Sequence, residues 1–441
     1  MYAPHTPEEI REMLKRLELS SLEELFQDLP REVLLKGLDL PPPLTEAEAL
    51  ARLRALARKN QPADKAFLGG GVRPHHTPPV VSALAGRGEF LTAYTPYQPE
   101  VSQGVLQAIF EYQTMMAELT GLEVSNASMY DGSTALAEGV LLALRETGRM
   151  RVLVSQGVHP EYREVLKAYL DAVGAEVEEI PLEGDRTPAV EVQGEVGAVV
   201  VQTPNFLGAL ETPDPLVEEA HRKGALFVAV VDPLSLGVLR PPGEYGADIA
   251  VGDGQTLGQA MGLGGPHFGF LVVRKALVRQ LPGRLVSETV DVEGRRGFIL
   301  ALQAREQFIR RGKAKSNITT NAQLTALMGA IYLAGLGPEG LKEVALLSAA
   351  RARRLYELLL EVPGVRPFTH PPFFAEFALR LPRPQEEVRR ALAQRGFHAA
   401  APVPFDPHLA LFAATEVHTE EDLRALAKAL KEVLHELSPD L

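Results

Sequence analysis

The chain has 441 residues, enough for two or three domains and a large core at roughly 100–200 residues per domain. Hydrophobic residues make up 46 % and charged residues 23 %, the balance of an ordinary globular protein. A net charge of −12 argues against binding to nucleic acid or an anionic membrane, and the lack of cysteine removes disulfides, thiol nucleophiles and thiolate metal sites.

The first sixty residues read as helices. Thr6-Pro7-Glu8-Glu9 is a capping box with proline at the first helical position, and a short helix starts near Ser21. Leu40-Pro41-Pro42-Pro43 breaks the chain, and Thr45-Glu46-Ala47-Glu48 opens a further helix to about Asn60. No apolar run approaches the roughly 20 residues of a membrane span, and this N-terminus lacks the apolar core of a secretory signal. A cytoplasmic protein is expected. Its 34 prolines and its preference for arginine over lysine fit a thermophilic source.

A Gly/Pro-rich stretch from Leu68 to Pro79 carries Gly69-Gly70-Gly71 and the pair His75-His76. Adjacent histidines rarely face one ion, so the pair reads as part of a polar network, and no metal site is expected. Phe90 to Gly104 is loop-like and dense in functional side chains, which marks it as a candidate site. From Gln103, apolar residues at helical spacing predict a helix to about Leu119.

Elements then alternate. Helices are predicted at Ser133–Glu146, Pro160–Val173 and Pro213–Lys223. Strands are predicted at Arg151–Ser155, Val177–Ile180, Val196–Gln202, Leu226–Val231, Asp248–Val251 and Phe268–Val273. Continuous apolar strands between amphipathic helices mean a mostly parallel sheet covered on both faces, with the site beyond the carboxyl ends of the strands. After Arg274 the chain reads as mainly helical to about Glu361, with helices at 322–334 and 338–360. A smaller C-terminal α/β unit follows, with strands Phe374–Leu381 and Leu409–Ala414 and helix Gln385–Arg395. Thr419 caps its last helix, whose stripe from Leu423 to Leu437 reads as core.

The expected division is 1–90 as a helical arm and Gly/Pro-rich segment, 91–315 as a large α/β domain, and 316–441 as connecting helices and a small α/β domain. There is no P-loop, no H-E-x-x-H and no G-x-S-x-G. Neither Gly69-Gly70-Gly71 nor Gly262-Leu263-Gly264-Gly265 has dinucleotide-binding spacing.

Four features fall at strand ends or helix starts. Asp131-Gly132-Ser133-Thr134 precedes a helix, where N–H groups and hydroxyls can cradle a phosphate; Asp131 opposes that and reads as a cap. Asp232 follows strand Leu226–Val231, where a carboxylate can pair with a protonated pyridine nitrogen. Gly252-Asp253-Gly254-Gln255-Thr256 follows the next strand. An enzyme that bound its cofactor as a Schiff base on this sheet would carry lysine there, and glutamine cannot form one. Lys275 follows a later strand and is expected on the surface. The run from Lys315 to Asn321, with Lys313 nearby, offers donors for a phosphate or a helix cap.

The segments TAYTPYQPEVSQGVLQAIFEYQTMMAELTG, SNASMYDGSTALAEG, VQTPNFLGALE, GADIAVGDGQTLGQAMGLGGPHFGFL and AKSNITTNAQLTAL occur in this order. The chain resembles the glycine cleavage system P-protein family (glycine decarboxylase, or glycine dehydrogenase, aminomethyl-transferring). It is most similar to subunit 1, the N-terminal half of the split form. The resemblance implies a type I aminotransferase-like fold and pyridoxal phosphate (PLP) chemistry. Glycine loses its carboxylate as CO2, and the aminomethyl group passes to the lipoyl arm of the H-protein.

It also implies an active site shared with subunit 2, as α2β2, with PLP held covalently by the partner's lysine. Asp131, Gly132, Ser133, Thr134, Asp232 and Gln255 are then a degenerate PLP site. Tyr94, Thr95, Tyr97, Gln98 and Glu100 would line the interface, with Tyr94 and Tyr97 facing the reacting groups. Ser316, Asn317, Thr319 and Thr320 would reach the partner's PLP phosphate. The alternatives are a structural or regulatory paralogue and an autonomous PLP enzyme using Lys275, Lys313 or Lys315.

Overall fold

The computed structural model describes residues 5–35, 37–60, 65–262 and 265–437. Leu263 and Gly264 of the second glycine-rich piece lie outside the described residues. The chain divides into two compact units, Met1–Gln61 and Pro62–Leu441.

In the first unit, helices Pro7–Arg16 and Glu46–Ala57 each open with a capping box, Thr6 with Glu9 and Thr45 with Glu48. Each cap satisfies two backbone donors that a helix start would otherwise leave unpaired. The turn after Ser21 is 3₁₀, Leu22–Phe26. Neither α-helix buries a residue, so this unit has no core of its own among the described residues.

The second unit holds two main sheets. Its strands in chain order are β1 (Lys65–Ala66), β2 (Val124–Ser125), β3 (Arg151–Ser155), β4 (Glu176–Ile180), β5 (Ala198–Thr203), β6 (Leu226–Val231), β7 (Ile249–Asp253), β8 (Gly269–Val273), β9 (Leu285–Val290), β10 (Arg296–Ala301), β11 (Arg366–Pro367), β12 (Glu376–Arg380), β13 (Phe397–His398), β14 (Ala401–Pro402) and β15 (Leu409–Ala413). The large sheet has the order β2-β8-β7-β6-β5-β3-β4. Strands β3 to β7 pair in parallel, and β8 is antiparallel to both its neighbours. Its central strands are buried on both faces, which is why they read as unbroken apolar runs. The small antiparallel sheet, β11-β12-β15-β14, backs onto helix Glu420–Leu437, whose Leu423, Leu426, Leu430, Val433 and Leu434 are core residues.

The region after Arg274 departs from the helical expectation. Residues Leu285–Val290 and Arg296–Ala301 form an antiparallel hairpin, turned at Gly294 with φ +78°. Val286, Phe298 and Leu300 share one buried face, with Phe298 and Leu300 at the period of two that marks a half-buried strand, while Leu285 faces the other way into the core of the large sheet. The helix Gln323–Leu360 is broken at Gly337, φ +63°, ahead of Pro338, which accounts for the two helices read from the sequence. One 18-residue window of it has mean hydropathy 1.2, apolar enough by length and composition to cross a membrane. Here Ala326, Ala330 and Tyr332 pack into the core of the large sheet, and Leu355, Tyr356 and Leu359 into that of the small one.

Helix Gly132–Thr147 packs on the large sheet and buries ten residues, one of them Glu138, only 6 % exposed. Ser316 Oγ donates to its Oε1 at 2.8 Å, while Oε2 has no partner. Burial raises the Glu138 carboxyl above its ordinary 4.5, against the Ser316 hydrogen bond and the charge of Arg145. A raised carboxyl holds its proton more tightly in the folded than in the unfolded chain. Its contribution is therefore present at low pH and lost as pH climbs from the ordinary value through the raised one. Glu138→Gln keeps an acceptor for Ser316, so its gain in melting temperature over wild type is expected to be larger at pH 8 than at pH 5. A pH series of thermal melts checks this.

Gly208, φ +85°, lies against β12, and a Cβ there would sit 1.9 Å from the Glu376 carbonyl oxygen. Strain at a positive φ costs about 1–3 kcal/mol before any clash. Gly208→Ala is expected to lower the melting temperature by several degrees, read by calorimetry.

Candidate functional site

The parallel strands β6 and β7 end side by side, so Asp232 and Asp253 open onto the same edge of the sheet. A third segment reaches this edge from the small sheet. β1 pairs with β13, Phe67 is buried in the small-sheet core, and the chain then turns through Gly69-Gly70-Gly71 to deliver Arg73. A Cβ on Gly69 would lie 2.4 Å from Glu376 Oε2, so this close passage requires glycine.

The Arg73 guanidinium forms ion pairs with Asp232 through Nη2 and with Glu376 Oε1 through Nη1, the latter at 2.9 Å. Both carboxylates are held from behind. Thr256 Oγ1 and the Leu234 N–H donate to Asp232 Oδ1 at 2.8 and 3.0 Å, and the Gly70 N–H donates to Glu376 Oε2 at 2.7 Å. Burial opposes the charge on Arg73, yet Asp232 and Glu376 outweigh it and hold its pKa above the ordinary value.

Gln255 is buried beside Arg73 and fastens its backbone on both sides. Its Oε1 accepts the Arg73 N–H at 3.0 Å, and its Nε2 donates to the Arg73 carbonyl at 2.9 Å and the Gln259 carbonyl at 3.1 Å.

The start of helix Gly132–Thr147 is capped from within. Asp131 Oδ1 accepts the Thr134 N–H at 2.8 Å and the Ser133 hydroxyl at 2.6 Å. Asp253 accepts the N–H of Gly132 at 3.2 Å and that of Gln255 at 2.9 Å. A Cβ on Gly132 would meet Tyr162 Oη at 2.1 Å. Burial, reinforced by Asp253 and Asp131, holds the Tyr162 phenol well above its ordinary value, so it stays protonated. Burial also raises Asp253, opposed by His267 3.5 Å away.

These residues do not fit a covalently bound PLP. No amine stands at 255, the Asp232 carboxylate is already paired, and carboxylates take up the N–H groups a phosphate would need.

A second cluster forms around the buried Arg284, where the 92–102 loop meets the 316–325 segment. Arg284 Nη2 donates to Tyr97 Oη at 3.1 Å and to the Thr319 carbonyl at 2.6 Å, and Nη1 donates to Asn321 Oδ1 at 3.2 Å. Its guanidinium lies 5.5 Å from the Tyr97 ring centre, and Phe308 meets that ring edge-on at 5.9 Å. Tyr94, Thr95 and Thr320 line a cavity of about 350 Å3 with Pro266 and His267. Tyr94 is 77 % and Tyr97 49 % exposed.

Gln98 and Glu100 are exposed on the same loop. Ser316 and Asn317 line a different cavity, with Glu138 and Arg145. The Thr319 N–H donates to Tyr130 Oη at 3.3 Å. The 315–321 run precedes the helix, which starts at Gln323. Lys275 is exposed just past β8, at the edge of the sheet opposite Asp232 because β8 runs backwards. His75 Nδ1 is 2.8 Å from Glu416 Oε2, and the His76 N–H donates to Oε1 at 2.7 Å.

Arg73, Glu376, Arg284 and Tyr162 carry no signal in the sequence reading. The glycine run beside Arg73 is the nearest clue, but Asp232 lies 159 residues from Arg73 and Glu376 303.

The profile of the glycine cleavage system P-protein matches residues 1–430. A probable glycine dehydrogenase (decarboxylating) subunit 1 of Carboxydothermus hydrogenoformans is 50 % identical, over 97 % of this chain and 99 % of the relative. A crystal structure of glycine decarboxylase (P-protein) of the glycine cleavage system, in inhibitor-bound form, shares 75 % identity and a TM-score of 0.94. That match covers 98 % of this chain and 100 % of the other. An aspartate aminotransferase from Thermus thermophilus, 22 % identical with TM-score 0.58 over 85 % of this chain and 99 % of its own, shares the fold alone. The sheet order with its one reversed strand is thus a type I aminotransferase-like fold, and the chain belongs to the glycine cleavage system P-protein family.

Proposed function

We propose that this chain is subunit 1 of a glycine decarboxylase. In that enzyme glycine loses its carboxylate as CO2, and its aminomethyl group passes to the lipoyl arm of an H-protein. The observation that carries the reading is Gln255, an amide tied on both sides to Arg73 at the position where a Schiff-base lysine would stand. A chain with its own pocket closed in this way acts through a partner. Subunit 2 supplies the lysine and the PLP, as an electron sink for the carbanion left by decarboxylation, in a cytoplasmic α2β2 assembly.

This chain's share of the shared site is the loop carrying Tyr94, Thr95, Tyr97, Gln98 and Glu100, with Thr319 and Thr320 beside it. Arg284 holds Tyr97 and the Thr319 carbonyl together, so the loop meets the partner already ordered. Ser316, bonded to Glu138, serves to place this segment, and Asn317 is the more exposed of the two. The division at about residues 90 and 315 belongs to the same reading, with the large sheet and the small sheet as separate domains. A structural or regulatory paralogue, the second reading, is favoured by one feature: the pocket beside Asp232 is filled from within.

The test is glycine–bicarbonate exchange and cofactor absorbance, with this chain alone and with subunit 2. The chain alone is expected to show neither, and the mixture both. Tyr97→Phe removes a hydrogen bond to a charged group, worth about 1.5–3 kcal/mol, so exchange is expected to fall roughly 10- to 100-fold with assembly intact. Exchange by the chain alone would overturn the proposal, and an unchanged rate in an assembled Tyr97→Phe enzyme would favour the paralogue.

A further inference from the structure

The pocket beside Asp232 is more than a vacated site. Its two carboxylates, Asp232 and Glu376, are 13 % and 8 % exposed, and Arg73 between them is 7 % exposed. Backbone N–H groups and Thr256 orient both carboxylates toward the same point. Arg73 Nε is buried without a partner, so the pocket grips the guanidinium by its two terminal nitrogens alone. His159, Tyr162, Phe206 and Phe374 are among the residues that line the free space next to it. About 60 Å3 remains beside the guanidinium. Ligand pockets usually offer about 300–1,000 Å3, so no second occupant fits.

A flat cation held by its two prongs between two fixed carboxylates is how a protein holds a planar charged ligand. We propose that this pocket is a binding site for a planar monocation, and that the chain occupies it with its own Arg73. The segment 69–73 is then a tethered ligand, fastened at its head by Asp232 and Glu376 and along its backbone by Gln255. It joins the end of β6 to the start of β12 and holds the two sheets together. This inference does not depend on what the chain contributes to its partner.

Removing one partner of a buried ion pair leaves the others uncompensated and strongly destabilises a fold. R73A, studied in the assembled complex, is expected to melt roughly 5–10 °C below wild type. It also opens a space of guanidinium shape. Millimolar methylguanidinium is expected to restore most of that loss, saturably. Methylammonium at the same ionic strength carries the charge without the flat two-pronged shape and is expected to restore little. Neither cation is expected to move the wild type, nor R73A/D232N, which lacks one of the two carboxylates.

An R73A complex that melts like wild type overturns the proposal, as does equal rescue by the two cations. Where R73A does not assemble, R73K decides. It keeps the charge but cannot span both carboxylates, so it is expected to melt below wild type, and an unchanged melt overturns the proposal. Glycine–bicarbonate exchange in the rescued complex separates this inference from the shared-site reading, since rescue of melting is expected whether or not exchange occurs.

Discussion

A single guanidinium organises the site end of this molecule. Arg73 carries one positive charge between two buried carboxylates that come from different sheets, Asp232 after β6 and Glu376 at the head of β12. Neither carboxylate could be buried there alone, because a lone ionised group in a medium of low polarity is far too costly. Much else follows from keeping the three together. Glycine is required at 69, where a side chain would strike Glu376, and at 208, where one would strike its carbonyl. Gln255 is required to hold the Arg73 backbone.

The broken helix Gln323–Leu360 supports the same arrangement, packing against the turn Pro233–Gly237 that follows Asp232. Its first half packs into the core of the large sheet and its second into that of the small sheet, with Gly337 and Pro338 at the joint. The two cores are therefore joined by a charge cluster and by a helix, as well as by the apolar cluster of Phe206 and Leu207 with Ala378, Leu409 and Leu411. Arg284 does comparable work at the second cluster. There the ligands are neutral, a phenol, a carbonyl and an amide, so the guanidinium orders the aromatic loop without neutralising any charge that it contacts directly.

Much of the fold was legible in the sequence because it is written locally. Apolar runs such as Leu226–Val231 mark doubly covered strands, and the boxes at Thr6 and Thr45 mark helix starts. The β9–β10 hairpin was missed although Val286, Phe298 and Leu300 sit on its buried side. The expectation of helix on either side absorbed a short alternating segment. At the site, Asp232 and Gln255 could be singled out because each follows a strand. Arg73 and Glu376 could not, because nothing local relates them to Asp232. Their meeting depends on how two sheets are joined, which no spacing in the chain records.

The glutamine at 255 has a bearing on the history of the chain. In the genetic code the codons of glutamine and lysine differ at one base, so a lysine here is always within reach of a single mutation. Such a lysine would meet the carbonyls of Arg73 and Gln259 and lose the acceptor that now holds the Arg73 N–H. The aspartate it would need would still be engaged by Arg73. A lysine at 255 would therefore not by itself give this chain a cofactor site: Arg73 would still hold Asp232, and Asp253 and Asp131 would still take up the N–H groups of Gly132 and Thr134.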